Sequence, residues 1–165
     1  MFNAADFTLV AENYSVSVIM ADARDTYITL FTDAKSMQCI GPALSAELAQ
    51  QHFSAAQHSS SRKLTSQLYL SIKLADTEKV IGIFSVRTTA MDKSVEVGIM
   101  LLRLYHCTGL AKDVVKAVCE RIFTCYEVKS VICNIQQRNL AARKLVRGLG
   151  FINAGSGLSY RLDKY

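Results

Sequence analysis

Glu96-Val97-Gly98-Ile99-Met100-Leu101-Leu102-Arg103-Leu104-Tyr105-His106-Cys107-Thr108-Gly109-Leu110-Ala111-Lys112-Asp113 reads as a β-strand that passes through a turn into a helix. Two small residues, Gly109 and Ala111, stand where the helix begins. A helix start presents unpaired backbone N–H groups and the positive end of the macrodipole, so this turn is a potential phosphate cradle. Alternation along the strand puts Ser94, Glu96, Gly98 and Met100 on one face and Val95, Val97, Ile99 and Leu101 on the other. An acid in so apolar a strand is costly unless it reaches water or a partner, which singles out Glu96.

Upstream, Gln67 to Leu74 is the cleanest strand, with Leu68, Leu70, Ile72 and Leu74 on one side and Gln67, Tyr69, Ser71 and Lys73 on the other. Asp76-Thr77-Glu78 turns it into Val80 to Val86, an apolar run suited to a sheet interior. Tyr14 to Met20 reads as a first strand. Asp22 is the expected N-cap of a first helix running to about Thr32 on Ala23, Tyr27, Leu30 and Phe31. Pro42 lies in a loop feeding a second helix capped by Ser45. The tract 57–63, with three consecutive serines, reads as a loop. Downstream, Gly109 to Tyr126 is a long helix carrying Val114, Val115, Val118, Ile122 and Phe123. Val131 to Ile135 is a strand, Asn139 to Gly148 a helix, and Phe151 onward a terminal hairpin. The order β-α-α-β-β-β-α-β-α-β-β predicts an α/β (α+β) domain, with a mixed, mostly antiparallel sheet of about seven strands and helices on both faces.

The 165 residues suit a single domain over 1–165, and with half of them hydrophobic a substantial core is expected without metal or disulfide. No apolar run approaches the ~20 residues that span a bilayer, and Met1 is not followed by a charged-then-apolar leader, so the expectation is a soluble, cytoplasmic protein without a membrane partner. The five cysteines (Cys39, Cys107, Cys119, Cys125, Cys133) contain no Cys-x-x-Cys, and the three histidines add no ligand spacing, so no metal is expected. The net charge of +5 comes without basic runs interleaved with aromatics, which argues against direct nucleic-acid binding. Its densest patch is Arg138, Arg143, Lys144 and Arg147. That patch reads as a solvated helix face, as a contact for phosphates, or as a surface for an acidic partner.

His106-Cys107-Thr108-Gly109-Leu110-Ala111 resembles the acetyl-CoA loop Gln/Arg-x-x-Gly-x-Gly/Ala of the GNAT superfamily of N-acetyltransferases. Val80-Ile81-Gly82 and Glu96-Val97-Gly98 are similar to that family's third and fourth strands. Leu30-Phe31-Thr32-Asp33 with Met37 to Pro42 resembles its first-helix region in the ribosomal-protein alanine and serine acetyltransferases. Asn139 to Phe151, with its Leu-Gly-Phe ending, resembles the closing motif. Three departures stand out. Cys107 replaces a glycine, Ala142 replaces a common serine, and Val146 stands where many members carry the tyrosine that protonates the departing thiolate.

The resemblance implies a GNAT fold in which the strands of Val95–Leu101 and Val131–Ile135, the fourth and fifth expected, splay apart around the pantetheine arm of acetyl-CoA. It implies that Ile99, Met100 and Leu101 offer backbone groups to that arm. His106, Cys107, Thr108, Gly109, Leu110, Ala111 and Lys112 would hold the pyrophosphate, and Asn139 would touch the pantetheine or position its helix. The reaction expected is direct attack of a neutral amine within a ternary complex, through a tetrahedral intermediate. Glu96 is the candidate base, acting directly or through water; a salt-bridged surface glutamate is the alternative reading of the same residue. Tyr105 and Tyr160 are the available proton donors by residue type, and Asn134 is a candidate lining of the acetyl pocket. At pH 7 roughly one tenth of α-amines are neutral, against under about a thousandth of lysines. A weakly equipped site therefore suits a protein N-terminal α-amine. An acceptor that is a small-molecule amine or antibiotic, and a non-catalytic CoA-binding module, remain the alternatives. The assembly expected is a monomer or homodimer.

Overall fold

The computed structural model describes residues 1–90, 93–155 and 157–164. Eight strands form one sheet: β1 (Leu9–Val10), β2 (Tyr14–Val18), β3 (Gln67–Leu74), β4 (Val80–Thr88), β5 (Ser94–Leu101), β6 (Ser130–Asn134), β7 (Ile152–Asn153) and β8 (Ser159–Asp163). Their spatial order is β1-β2-β3-β4-β5-β6-β8-β7. All neighbours are antiparallel except β5 and β6, which run parallel across the crossover helix α4 (Leu110–Cys125). The strand count exceeds the expected seven because Leu9 and Val10 fold back onto Val16 and Ser15. Two residues are too short for an alternation pattern to reveal. Ser156 and Tyr165 of the terminal hairpin lie outside the described residues.

Alternation along the strands feeds two cores. On one face, Leu68, Leu70, Ile72, Phe84, Val86 and Val95 are buried beneath Val114, Val115, Val118 and Ile122 of α4 and beside Val146 of α5 (Leu140–Arg147). On the other, α1 (Arg24–Thr32) and α3 (Ala46–Ser60) set Tyr27, Leu30, Phe53 and Ala56 over Val80 and Ile83. Tyr27 stacks on Phe31 at 4.3 Å between centroids and meets Phe53 edge-on at 5.5 Å. Each fully buried side chain of this size contributes about 1.5–3 kcal/mol, so both faces are firmly covered.

Two local expectations are corrected. Asp22 does not cap α1: a short 3-10 turn, Ala21–Ala23, precedes the helix, and Asp22 instead pairs with Lys73 at 2.6 Å. The serine tract is a loop only from Ser61 onward, since α3 continues through Ser60. Its serines work as ties to β3: Ser60 Oγ, fully buried, accepts from the Tyr69 N–H at 2.8 Å, and Ser59 Oγ donates to the Gln67 carbonyl at 2.7 Å. A four-residue helix, α2 (Ala34–Met37), follows α1, with Asp33 accepting from the Ser36 N–H at 2.8 Å. The Ser36 hydroxyl, donating to the same carboxylate at 2.7 Å, together with that N–H holds the Asp33 carboxyl below the usual carboxylate range. Ser45 caps α3 as expected, accepting from the Leu48 N–H.

Gly82 allows β5 to lie close to β4. A Cβ there would stand 2.4 Å from Leu101 Cδ2 and 2.6 Å from the Met100 carbonyl oxygen. Gly82→Ala should therefore lower stability by about 1–3 kcal/mol, read as a reduced urea midpoint; an unchanged midpoint would contradict the packing described.

Candidate active site

Strands β5 and β6 pair only at Ser94↔Ser130, Val95↔Val131 and Glu96↔Ile132. Beyond that they diverge, and β5 continues from Val97 to Leu101 with β4 as its one ladder partner. A cavity of about 370 Å³ occupies the gap. One wall is β5 from Glu96 to Met100; another is Cys133, Asn134 and Ile135, with Asn139, Ala142 and Val146 from the start and middle of α5. Phe31, Cys39 and Ile40 close the α1–α2 side, and Tyr69, Ile83 and Ser85 complete the sheet floor.

The residues predicted from sequence fall into two groups. Glu96, Ile99, Met100, Asn134 and Asn139 line the cavity. Asn139 also caps α5, its Oδ1 accepting from the Ala142 N–H at 3.1 Å, so it both faces the gap and fixes the helix beneath it. Leu101 lies past the cavity's edge: its side chain is buried in the α4-side core, and its carbonyl accepts a 2.9 Å bond from His106 Nε2. A carbonyl only accepts, so Nε2 of His106 carries the proton. This bond ties the start of the turn to the end of the strand.

The second group, His106 to Lys112, stands beyond the 3-10 turn Arg103–Tyr105 and leads into α4. Cys107 has φ 62 and Gly109 φ 88, both left-handed. These two reversals turn the chain so that the N–H groups of Cys107, Thr108, Gly109 and Ala111 donate to no described residue. Lys112 and Asp113 donate to the Gly109 carbonyl, while Thr108 Oγ1 donates to the Tyr105 carbonyl and holds the turn. Successive unpaired N–H groups at the head of a sixteen-residue helix make an anion-binding concavity. The residues present thus fit a pyrophosphate, and the open edge of β5 fits a polar chain with amide groups.

Glu96 Oε2 pairs with Arg87 Nη2 at 2.7 Å across directly opposed positions of β4 and β5. Its side chain is 25% exposed, so the carboxylate reaches the cavity while held by a cation. Tyr105 and Tyr160 do not line the cavity. Tyr105 belongs to the turn beside Tyr14 and Thr108, and Tyr160 is fully buried, accepting from Arg143 Nε at 2.7 Å. That bond lowers the Tyr160 hydroxyl below its ordinary value. The basic patch is likewise engaged: Arg143 also donates to the Gln137 carbonyl, Arg147 lies over the Tyr160 ring, and Arg138 reaches from the β6–α5 loop to the Gln38 carbonyl.

Cys133 was missed as a lining residue because its strand gave only an apolar alternation. Burial, aided by the Glu96 charge, pushes its thiol up to about 12, so it stays protonated and is a poor nucleophile. Tyr69 and Ser85 were also missed. The alternation assigned Tyr69 its face, but their meeting at one cavity depends on strand register, which no single segment encodes.

The Cys107 conformation carries a cost, since a left-handed L-residue is disfavoured by roughly 1–2 kcal/mol and glycine adds back about 0.5–1 kcal/mol of unfolded-state entropy. Cys107→Gly should therefore raise stability by up to about 1 kcal/mol, measured by urea unfolding. A destabilised variant would contradict the left-handed turn.

Residues 18–152 match the family model described as Acetyltransferase (GNAT) domain. Sequence comparison with curated proteins gives no match. Among solved structures, the chain is similar to a putative ribosomal-protein-serine acetyltransferase from Vibrio cholerae (15% identity, 99% of this chain and 100% of that one, TM-score 0.78). It is similar to RimL, a ribosomal L7/L12 α-N-protein acetyltransferase in complex with coenzyme A (13% identity, 94% and 98%, TM-score 0.78). It is also similar to spermidine N-acetyltransferase from Vibrio cholerae in complex with CoA and spermine (14% identity, 92% and 94%, TM-score 0.75). At these identities the neighbours establish the fold, while the family model spans most of the chain: this protein belongs to the GNAT family of acetyltransferases.

Proposed function

We propose that this acetyltransferase acts on the α-amine of a protein or peptide N-terminus, with acetyl-CoA held between β5 and β6. The observation that carries the reading is the parting of those strands after Glu96↔Ile132, which leaves a cavity flanked by an unpartnered stretch of β5 and followed by the N–H-rich turn at Cys107–Ala111. In this reading Val97 to Met100 present backbone groups to the pantetheine, and the turn with Lys112 receives the pyrophosphate. Acetyl-CoA supplies the activated acetyl group; the chain's own residues orient it, keep water away with Phe31, Ile83 and Met100, and manage the amine proton.

Glu96 serves as the proton acceptor in this proposal, from the acceptor-facing side of β5. Arg87 fixes the carboxylate's position. An amine that is already partly neutral near pH 7 asks least of a proton acceptor, which describes an N-terminal α-amine better than a lysine. Support for a protein acceptor also comes from the similar folds of the ribosomal-protein-serine and L7/L12 acetyltransferases.

The test follows CoA thiol release with a panel of N-terminal peptides, lysine-only peptides with blocked N-termini, and polyamines. The expected result is release that depends on a free peptide N-terminus, with Glu96→Gln slowing kcat by about 10²–10⁴-fold while acetyl-CoA affinity is retained. Release confined to polyamines or lysine side chains would overturn the acceptor, and an unimpaired Glu96→Gln enzyme would remove Glu96 as the base.

A further inference from the structure

Three strands bring Tyr69, Ser85 and Gly98 into one row: Tyr69 is paired with Ser85 across β3 and β4, and Ser85 with Gly98 across β4 and β5. The row lies on the α1–α3 face, where Tyr69 and Met100 pack with Ile83. All three residues line the cavity at the point where β5 has lost β6. Gly98 is exposed, and a Cβ built on it would stand 3.1 Å from Ser85 Oγ. The Ser85 hydroxyl therefore leans over the space that the glycine leaves open, and it makes no hydrogen bond to a described residue. Tyr69 Oη is held from behind, accepting from Gln67 Nε2 at 2.6 Å. The next residue of β5 on the same face is Glu96, about 7 Å along the strand, with one carboxylate oxygen given to Arg87.

We propose that the acceptor nitrogen is seated over Gly98, with the Ser85 hydroxyl accepting one of its N–H groups and the Glu96 carboxylate another. The inference rests on the acetyl-transfer reading above and adds a residue that touches the acceptor. Two acceptors about one small space require two N–H groups, so the site takes an unhindered primary amine. With both hydrogens directed to the sheet face, the nitrogen lone pair is left pointing into the gap between β5 and β6. Glycine at 98 is required because any side chain would occupy the seat. Ser85 acts on the amine itself; Tyr69 walls the seat, and Gln67 positions Tyr69.

Wild type and Ser85→Ala are compared on the best acceptor of the panel and on its N-methyl counterpart, which lacks one N–H. Ser85→Ala should lower kcat/KM for the primary amine about 10- to 100-fold, the range for leaving one buried N–H of the amine without its partner. For the N-methyl amine the loss should stay within about 3-fold, because the bond is not fully made there even in wild type. Acetyl-CoA affinity by calorimetry should be the same in both proteins. Gly98→Ala provides a second variant: it should lose turnover of every acceptor, and turnover at the wild-type rate would also overturn the seat. Equal losses on both amines, or no loss on either, would overturn the seat while leaving acetyl transfer intact. Wild type inactive on every amine would remove the parent reading and this inference together.

Discussion

The rest of the site depends on a ladder that stops. Three paired positions join β5 to β6, and after Glu96↔Ile132 the strands part. Backbone N–H and C=O groups are obligatory hydrogen-bonding groups, and a sheet interior that leaves them unpaired demands another partner. The parting is maintained from both sides. Gly82 lets β5 press against β4, while the Asn139 cap sets α5 under the far wall. The cavity is therefore built by packing that would persist without any ligand, which is the condition for a preorganised binding site.

Polarity within the cavity is distributed by face. The α4-side face is apolar, and Cys133 there is held as a neutral thiol by burial and the nearby Glu96 charge. The α1–α3 face carries Gln67, Tyr69, Ser85, Arg87 and Glu96 in neighbouring rows of three strands. Burial likewise pushes the Tyr69 hydroxyl above its ordinary range, so it remains a neutral donor and acceptor at working pH. One side of the gap thus suits the arm of a thioester and the other an amine. Among the described residues no group of histidine, cysteine and acidic side chains is placed to hold a metal ion. Among the same described residues, no helix is long and apolar enough to cross a membrane.

Much of this was legible in the sequence, for identifiable reasons. Strands β3, β4 and β5 announced themselves because each buries one or both faces, and the predicted alternation of Glu96 and Met100 against Val97 and Leu101 matches the two cores. The turn at Cys107 was legible from its small residues, and Cys107, standing where the resembling family has a glycine, adopts a left-handed φ of 62. What the sequence concealed was long-range. Asp22 looked like a cap because its pairing with Lys73 on β3 is invisible locally, and the serines looked like a loop because the partners of Ser59 and Ser60 are backbone groups of β3. The acceptor-side row of Tyr69, Ser85 and Gly98 was hidden for the same reason, since register between strands is a tertiary property.

The most direct measurement is amide hydrogen exchange, residue by residue, with and without acetyl-CoA. The account predicts new protection at alternate amides of Val97–Met100, those directed at the gap, and at Cys107 to Ala111, with β3 and β4 unchanged. Saturating acetyl-CoA that protects neither stretch, or protects a different edge of the sheet, would contradict the claim that the parted strands and the turn form the acetyl-CoA site.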